Sequence, residues 1–257
     1  MKISTGSTTR QRGRVRVEGG EKHLRVYFGG AVVADTTRPL LVWEKPAYPA
    51  YYVSEADVRM ELLSPDGGVV HSPSRGDAET FTVRAGGKEA AGAALRYGRS
   101  PFEELRDAIR LEWDAMDAWF EEDEQVFTHP RDPYTRVDIL PSSRHVRIEA
   151  GGETIAETTK PTLLFETGLR TRYYLPKTHI RMDLLTPTET VSHCPYKGQA
   201  EYWSVDTGEA VHEDIAWSYA TPLRESLGVA GLIAFYDEKV DVYVDGVLQE
   251  RPKTKFR

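Results

Sequence analysis

Apolar and polar positions alternate in short runs along most of the chain, the two-residue period of half-buried β-strands. Val146 and Ile148 stand among polar neighbours, Gly151-Gly152 offers a turn at positive φ, and residues 154–156 return. Gly29-Gly30 holds the same place earlier in the chain. Residues 40–44 and 162–166 read as short apolar strands, each begun after a proline. Residues 58–63 and 180–185 alternate charged and apolar side chains, as a half-buried strand does. Val240, Val242 and Val244 alternate with Asp241, Tyr243 and Asp245 before Asp245-Gly246 turns the chain back through Val247 and Leu248. Helical period is scarce. The best stretch follows Ser100-Pro101, a cap and first-turn proline, with Phe102, Leu105, Ile109 and Trp113 on one stripe. Its counterpart, 222–230, is shorter and interrupted by Gly228.

These patterns occur twice. Residues 14–83 lie over 136–205 at a constant offset of 122 without a gap, and 26 of the 70 pairs are identical. Ordinary residue usage gives roughly one identity in fifteen to twenty by chance, so the chain is a tandem duplication. Blocks carry the match: Tyr51-Tyr52 over Tyr173-Tyr174, and Arg59-Met60-Glu61-Leu62-Leu63 over Arg181-Met182-Asp183-Leu184-Leu185. The expected organisation is a loose tail over 1–13, a first repeat over 14–120, a join over 121–135 and a second repeat over 136–257. The fold class is mainly β, two antiparallel units with one short helix each. The join begins in an acidic run, 114–124, that holds six acidic side chains and no base. It continues through His129-Pro130-Arg131-Asp132-Pro133-Tyr134, where two prolines stiffen an extended path. The run reads as a solvated face, with docking of a protein partner as the functional alternative.

Charge and cysteine usage narrow the partners. A net charge of −7 argues against nucleic acid or an anionic membrane surface, which need a basic patch. No apolar run approaches the roughly 18–20 residues that span a bilayer, and the first 12 residues lack the apolar core of a secretory signal. The lone Cys194 excludes an internal disulfide and a multi-cysteine zinc site, and a reducing cytoplasm is the expected compartment. No cofactor is called for, and His193, His212 and Glu213 show no ligand spacing for a metal.

Several strings together resemble one family. They are residues 167–176, Arg181 to Leu185, His193-Cys194-Pro195-Tyr196-Lys197-Gly198, Tyr202-Trp203-Ser204-Val205, Ala216-Trp217-Ser218-Tyr219 and residues 231–236. The family is the domain of unknown function numbered 427, in its two-copy form, and the resemblance runs over nearly the whole chain from Arg14. It implies a compact β-tent-like fold once per copy. A nucleotidyltransferase-like label has travelled with the family, but the sequence has no Asp-x-Asp pair, no Gly-rich loop opening a helix and no Walker-type lysine.

The copies diverge where chemistry is expected. The second keeps Cys194-Pro195-Tyr196-Lys197-Gly198, whereas the first reads Ser72-Pro73-Ser74-Arg75-Gly76. The second copy is therefore the expected site bearer and the first a scaffold. Lys197 beside Cys194 would favour the thiolate, set against a cysteine that is only a small buried side chain. Glu166, matched by Glu44 at a strand end, would serve as acid or base, or pair with a cation. Asp183, matched by Glu61, would do the same or pair with Arg181. Tyr196, Arg172, Tyr174, Trp203 and Tyr219 complete an aromatic and cationic pocket, in the second copy or at the inter-copy cleft, for a small anionic or carbonyl-containing ligand. The alternatives are a non-catalytic protein-interaction module and, from the β-tent resemblance to sulfoxide-reducing enzymes, redox chemistry at Cys194.

Overall fold

The computed structural model describes residues 10–12 and 15–251, and the chain divides into two compact units, 1–133 and 134–257. Residues 1–9 and 13 of the expected tail, residue 14 at the start of the first repeat and residues 252–257 of the second lie outside the described residues. Arg10–Arg12 of that tail pairs antiparallel with Val15–Gly19.

Each unit is a pair of antiparallel sheets. In the first, the large sheet runs in the order Arg10–Arg12, Val15–Gly19, Leu40–Trp43, Ala50–Ser54, Ala108–Leu111, Lys88–Arg96, Gly76–Ala85, Leu63–Ser72. Its small sheet runs Glu124–Val126, Ala118–Glu121, Leu24–Phe28, Ala31–Thr36. The second unit repeats this with Val137–Pro141, Thr162–Glu166, Arg172–Leu175, Ile233–Phe235, Val211–Ser218, Gly198–Asp206 and Leu185–Cys194. Its small sheet is Glu153–Thr158, Val146–Ala150, Asp241–Val244, Val247–Leu248. The expected hairpins are present. Gly29 and Gly30 have φ of 56° and 76°, and Asp245 and Gly246 of 52° and 81°, the turn whose twist matches flanking strands.

The large sheets are buried on both faces. Between the sheets of the first unit lie Leu24, Val26, Tyr51, Val53, Phe81 and Ile109; on the outer face lie Val42, Tyr52, Leu95, Tyr97, Phe102 and Leu105. Adjacent tyrosines thus serve opposite faces, the alternation a pleated strand imposes. The second unit does the same, with Ile148, Leu175 and Trp203 inside and Leu164, Tyr174, Trp217 and Tyr219 outside.

Two readings of the sequence are corrected. The stripe after Ser100 is no α-helix: Glu103–Leu105 is one 3-10 turn, and Ala108–Leu111 is a strand. Phe102 and Leu105 cover the outer face while Ile109 enters the inter-sheet core, so the apparent stripe serves two faces. Its counterpart, Arg224–Val229, is also 3-10 and buries Val229 against the outer face. Residues 58–63 and 180–185 are not strands either. Val58 makes a single bridge to Ala34, then Met60–Leu62 turns, and the strand starts at Leu63. The alternation arose because Val58 and Leu63 anchor the turn while Arg59 and Glu61 pair with each other in solvent.

Each large sheet ends on a ten-residue strand, Leu63–Ser72 or Leu185–Cys194. The register of each breaks between Pro65 and Val69, or between Pro187 and Val191. A proline inside a strand is tolerated at such an edge because it has no ladder hydrogen to give.

Candidate functional site

The matched strand ends bring a carboxylate, a cation and buried tyrosines together on the outer face in both units. In the second, Glu166 closes Thr162–Glu166 and accepts from Lys197 Nζ, and both side chains are buried, 7% and 11% exposed. Tyr174 lies in the same core and its hydroxyl accepts from Trp217 Nε1 at 3.1 Å. Burial holds the Tyr174 and Tyr219 hydroxyls protonated far above the ordinary tyrosine range, with Cys194 and Glu166 adding to the effect. Cys194, a free and half-buried thiol, ends its strand opposite Gly198. Tyr196 is buried on the same turn, and its carbonyl accepts from Ser226 Oγ at 3.1 Å.

Arg172 is held differently. Its guanidinium donates to both Glu238 oxygens at 3.0 and 2.9 Å and also to Asp237. The rings of Trp217 and Tyr236 lie 5.5 and 5.9 Å from its centre. Two of the expected residues stand apart. Trp203 packs in the inter-sheet core beneath Lys177 Nζ, 5.6 Å from its ring. Asp183 sits in an exposed turn, where Arg181 donates to it at 2.6 Å and holds its carboxyl below the usual range. That is the arginine pairing weighed for it from sequence.

The first unit carries the same centre with more charge. Glu44 pairs with Arg75 and, at 2.9 Å, with Arg110. Tyr52 donates to Glu44 at 2.8 Å and accepts from Arg75 at 2.7 Å. Arg75 lies over the Tyr97 ring at 4.9 Å. Arg110 also bonds Glu112, so two guanidinium groups face two carboxylates.

Beside this centre opens a cleft of about 240 Å³. Tyr48, Tyr51, Trp113 and Trp119 supply its rings, and Glu112, Asp114 and Lys45 its outer charges. Trp113 and Trp119 stack at 4.5 Å, and Tyr48 stacks on His129 at 3.8 Å. Tyr51 is fixed by donating to the buried Glu121 at 2.8 Å, and Trp119 donates to the Trp113 carbonyl at 3.0 Å. The cleft lies in the unit that lacks the Cys194-to-Gly198 string, so the motif difference between the copies points away from it. The available signal was the dense run of rings and acids at Glu112-Trp113-Asp114. Among the described residues no group of three or more His, Cys, Asp or Glu is placed to hold a metal, and no helix is long and apolar enough to cross a membrane.

Fold and site together define a tandem protein of two mainly β units, each with a buried carboxylate–cation–tyrosine centre on the outer face of its large sheet. The chain belongs to the family described as a domain of unknown function (DUF427), whose model matches residues 16–122 and 138–246. No curated protein matches the chain.

Proposed function

We propose that the protein binds a small organic molecule, with the first-unit cleft as its seat. The carrying observation is a concave surface where the half-buried Tyr48 and Trp113 lie over the buried Tyr51 and Trp119, with Glu112, Asp114 and Lys45 at the rim, the composition of a ligand site. Its 240 Å³ lies below the roughly 300 Å³ at which drug-sized sites begin, so the ligand is small. In the second unit the expected pair, Glu166 and Lys197, is turned inward and mutually satisfied, which suits a structural part better than ligand capture. The alternative, a protein partner on the acidic join, has less support. Glu121 is held by Lys22 and Tyr51, Glu122 accepts from the His23 amide, Asp123 from Arg25, and Glu124 from Arg131.

A thermal-shift screen of the full chain against pooled metabolites tests the reading, with native mass spectrometry to identify what is bound. A hit whose shift disappears in Trp113→Ala and persists in Lys197→Ala supports the first-unit cleft. Loss in Lys197→Ala with retention in Trp113→Ala moves the site to the second unit. Partner capture that fails after changes at Glu121 to Glu124, with no metabolite hit, favours the interaction module.

A further inference from the structure

The duplication supplies an internal comparison for the cleft. Pairing register aligns the two units residue by residue: Ala50 faces Val42 across the ladder, and Arg172 faces Leu164 in the same way. Further on, the Glu112 amide donates to the Ala93 carbonyl, as the Tyr236 amide donates to that of Ile215. The Ala115 and Lys239 amides then donate back to Glu112 and Tyr236 respectively. Trp113 and Asp114 therefore occupy the places of Asp237 and Glu238.

In the second unit this place is filled from within. Arg172 reaches over from its strand, and its guanidinium is gripped by Asp237 and Glu238 against the Trp217 and Tyr236 rings. In the first unit the residue at the strand position is Ala50, a methyl group lining the cleft. The carboxylate equivalent to Glu238 is kept as Asp114; the places of the Trp217 and Tyr236 rings are taken by Leu95 and Glu112, and the rings of the cleft come instead from Tyr48, Tyr51, Trp113 and Trp119. Arg110 is already engaged by Glu44 and Glu112.

From this we infer that the first-unit cleft takes a small planar organic cation, an alkylguanidinium or amidinium, in the position that Arg172 fills in the second unit. The inference rests on the cleft being a ligand site. Aromatic faces carry the negative side of the ring quadrupole, so they attract a cation and repel an anion. A guanidinium also matches a carboxylate in two parallel hydrogen bonds. Lys45 and Arg110 also line the cleft and oppose it; Arg110 is offset by its pairing with Glu44 and Glu112, and Lys45, exposed at the rim, is screened by water and salt.

Isothermal titration of the full chain with ethylguanidinium, its uncharged isostere ethylurea and the anion propanoate decides the matter. Ethylguanidinium is expected to bind about tenfold more tightly than ethylurea, the size of a cation–π and carboxylate contribution, with propanoate weaker still. Ala50→Arg should abolish binding by placing its own guanidinium in the cleft. Asp114→Asn, at an exposed position that leaves the core intact, should weaken ethylguanidinium but leave ethylurea unchanged. Equal or tighter binding of ethylurea or propanoate, lost in Trp113→Ala, would overturn the cation and leave the cleft standing. Ethylguanidinium binding that ignores both Ala50→Arg and Asp114→Asn, or no binding of ethylguanidinium at all, overturns the inference outright.

Discussion

Glu166 and Lys197 show what a buried ion pair demands of each partner. Either charge alone in that environment loses its compensation, and breaking such a pair costs about 3–5 kcal/mol. Glu166→Gln should therefore lower the urea midpoint of the second unit sharply. The double replacement Glu166→Leu with Lys197→Met should recover most of that loss, since paired apolar side chains avoid the desolvation altogether. If the double variant is as unstable as the single, the pair is not acting through its charge. Glu44 faces two guanidinium groups instead of one. Its change to Gln is expected to release both, which near-ultraviolet circular dichroism of the neighbouring Tyr52 and Tyr97 would register.

Among the elements, the hairpin turns separate the two units most clearly. Gly86 and Gly29 pack backbone to backbone, and a Cβ on Gly86 would lie inside the contact radius of the Gly29 carbonyl. Gly208, its counterpart in the second unit, has open space around its Cβ direction. Both have positive φ, 56° and 80°, so alanine at either adds about 1–2 kcal/mol of backbone strain. Gly86→Ala should exceed Gly208→Ala by the added collision, measured as the difference in unfolding free energy. Much of the fold at this scale was legible. The Gly-Gly and Asp-Gly turns, the period-two strands and the duplication all follow from local chemistry that tertiary structure does not override. The long edge hairpins were not, because Pro65 and Gly67-Gly68 read as loop until an edge position and a register break make room for them. The two 3-10 segments were hidden because Leu105 and Ile109 keep a helical spacing while entering different cores. The acids that grip Arg172 were missed for a plainer reason. Copy-to-copy offset grows from 122 at Tyr219 to 124 at Tyr236, so a comparison at constant offset sets Asp237 and Glu238 against the wrong residues.

For the molecule as a whole, buried tyrosines set the alkaline limit. Burial raises Tyr52, Tyr174 and Tyr219 above the ordinary value, with Glu44 adding to Tyr52. A group whose proton is held more tightly in the folded state contributes stability that is complete below the unfolded pKa, about 10 for tyrosine. That stability then falls as pH rises toward the folded values. Melting temperature should be flat in this respect up to about pH 10 and decline above it. Absorbance at the phenolate band should reach its full 13-tyrosine change only as the fold is lost; full ionisation of a chain still folded at high pH would contradict this. The interrupted outer strands have a different reach. An open sheet edge is a template on which a second chain can lay down another strand, and the long outer strand of each large sheet is such an edge. Pro65 and Pro187, followed by a break in register, divide each edge before it can act as a straight rail. The same residues that make these strands hard to recognise are thus expected to hinder fibril growth in crowded solution.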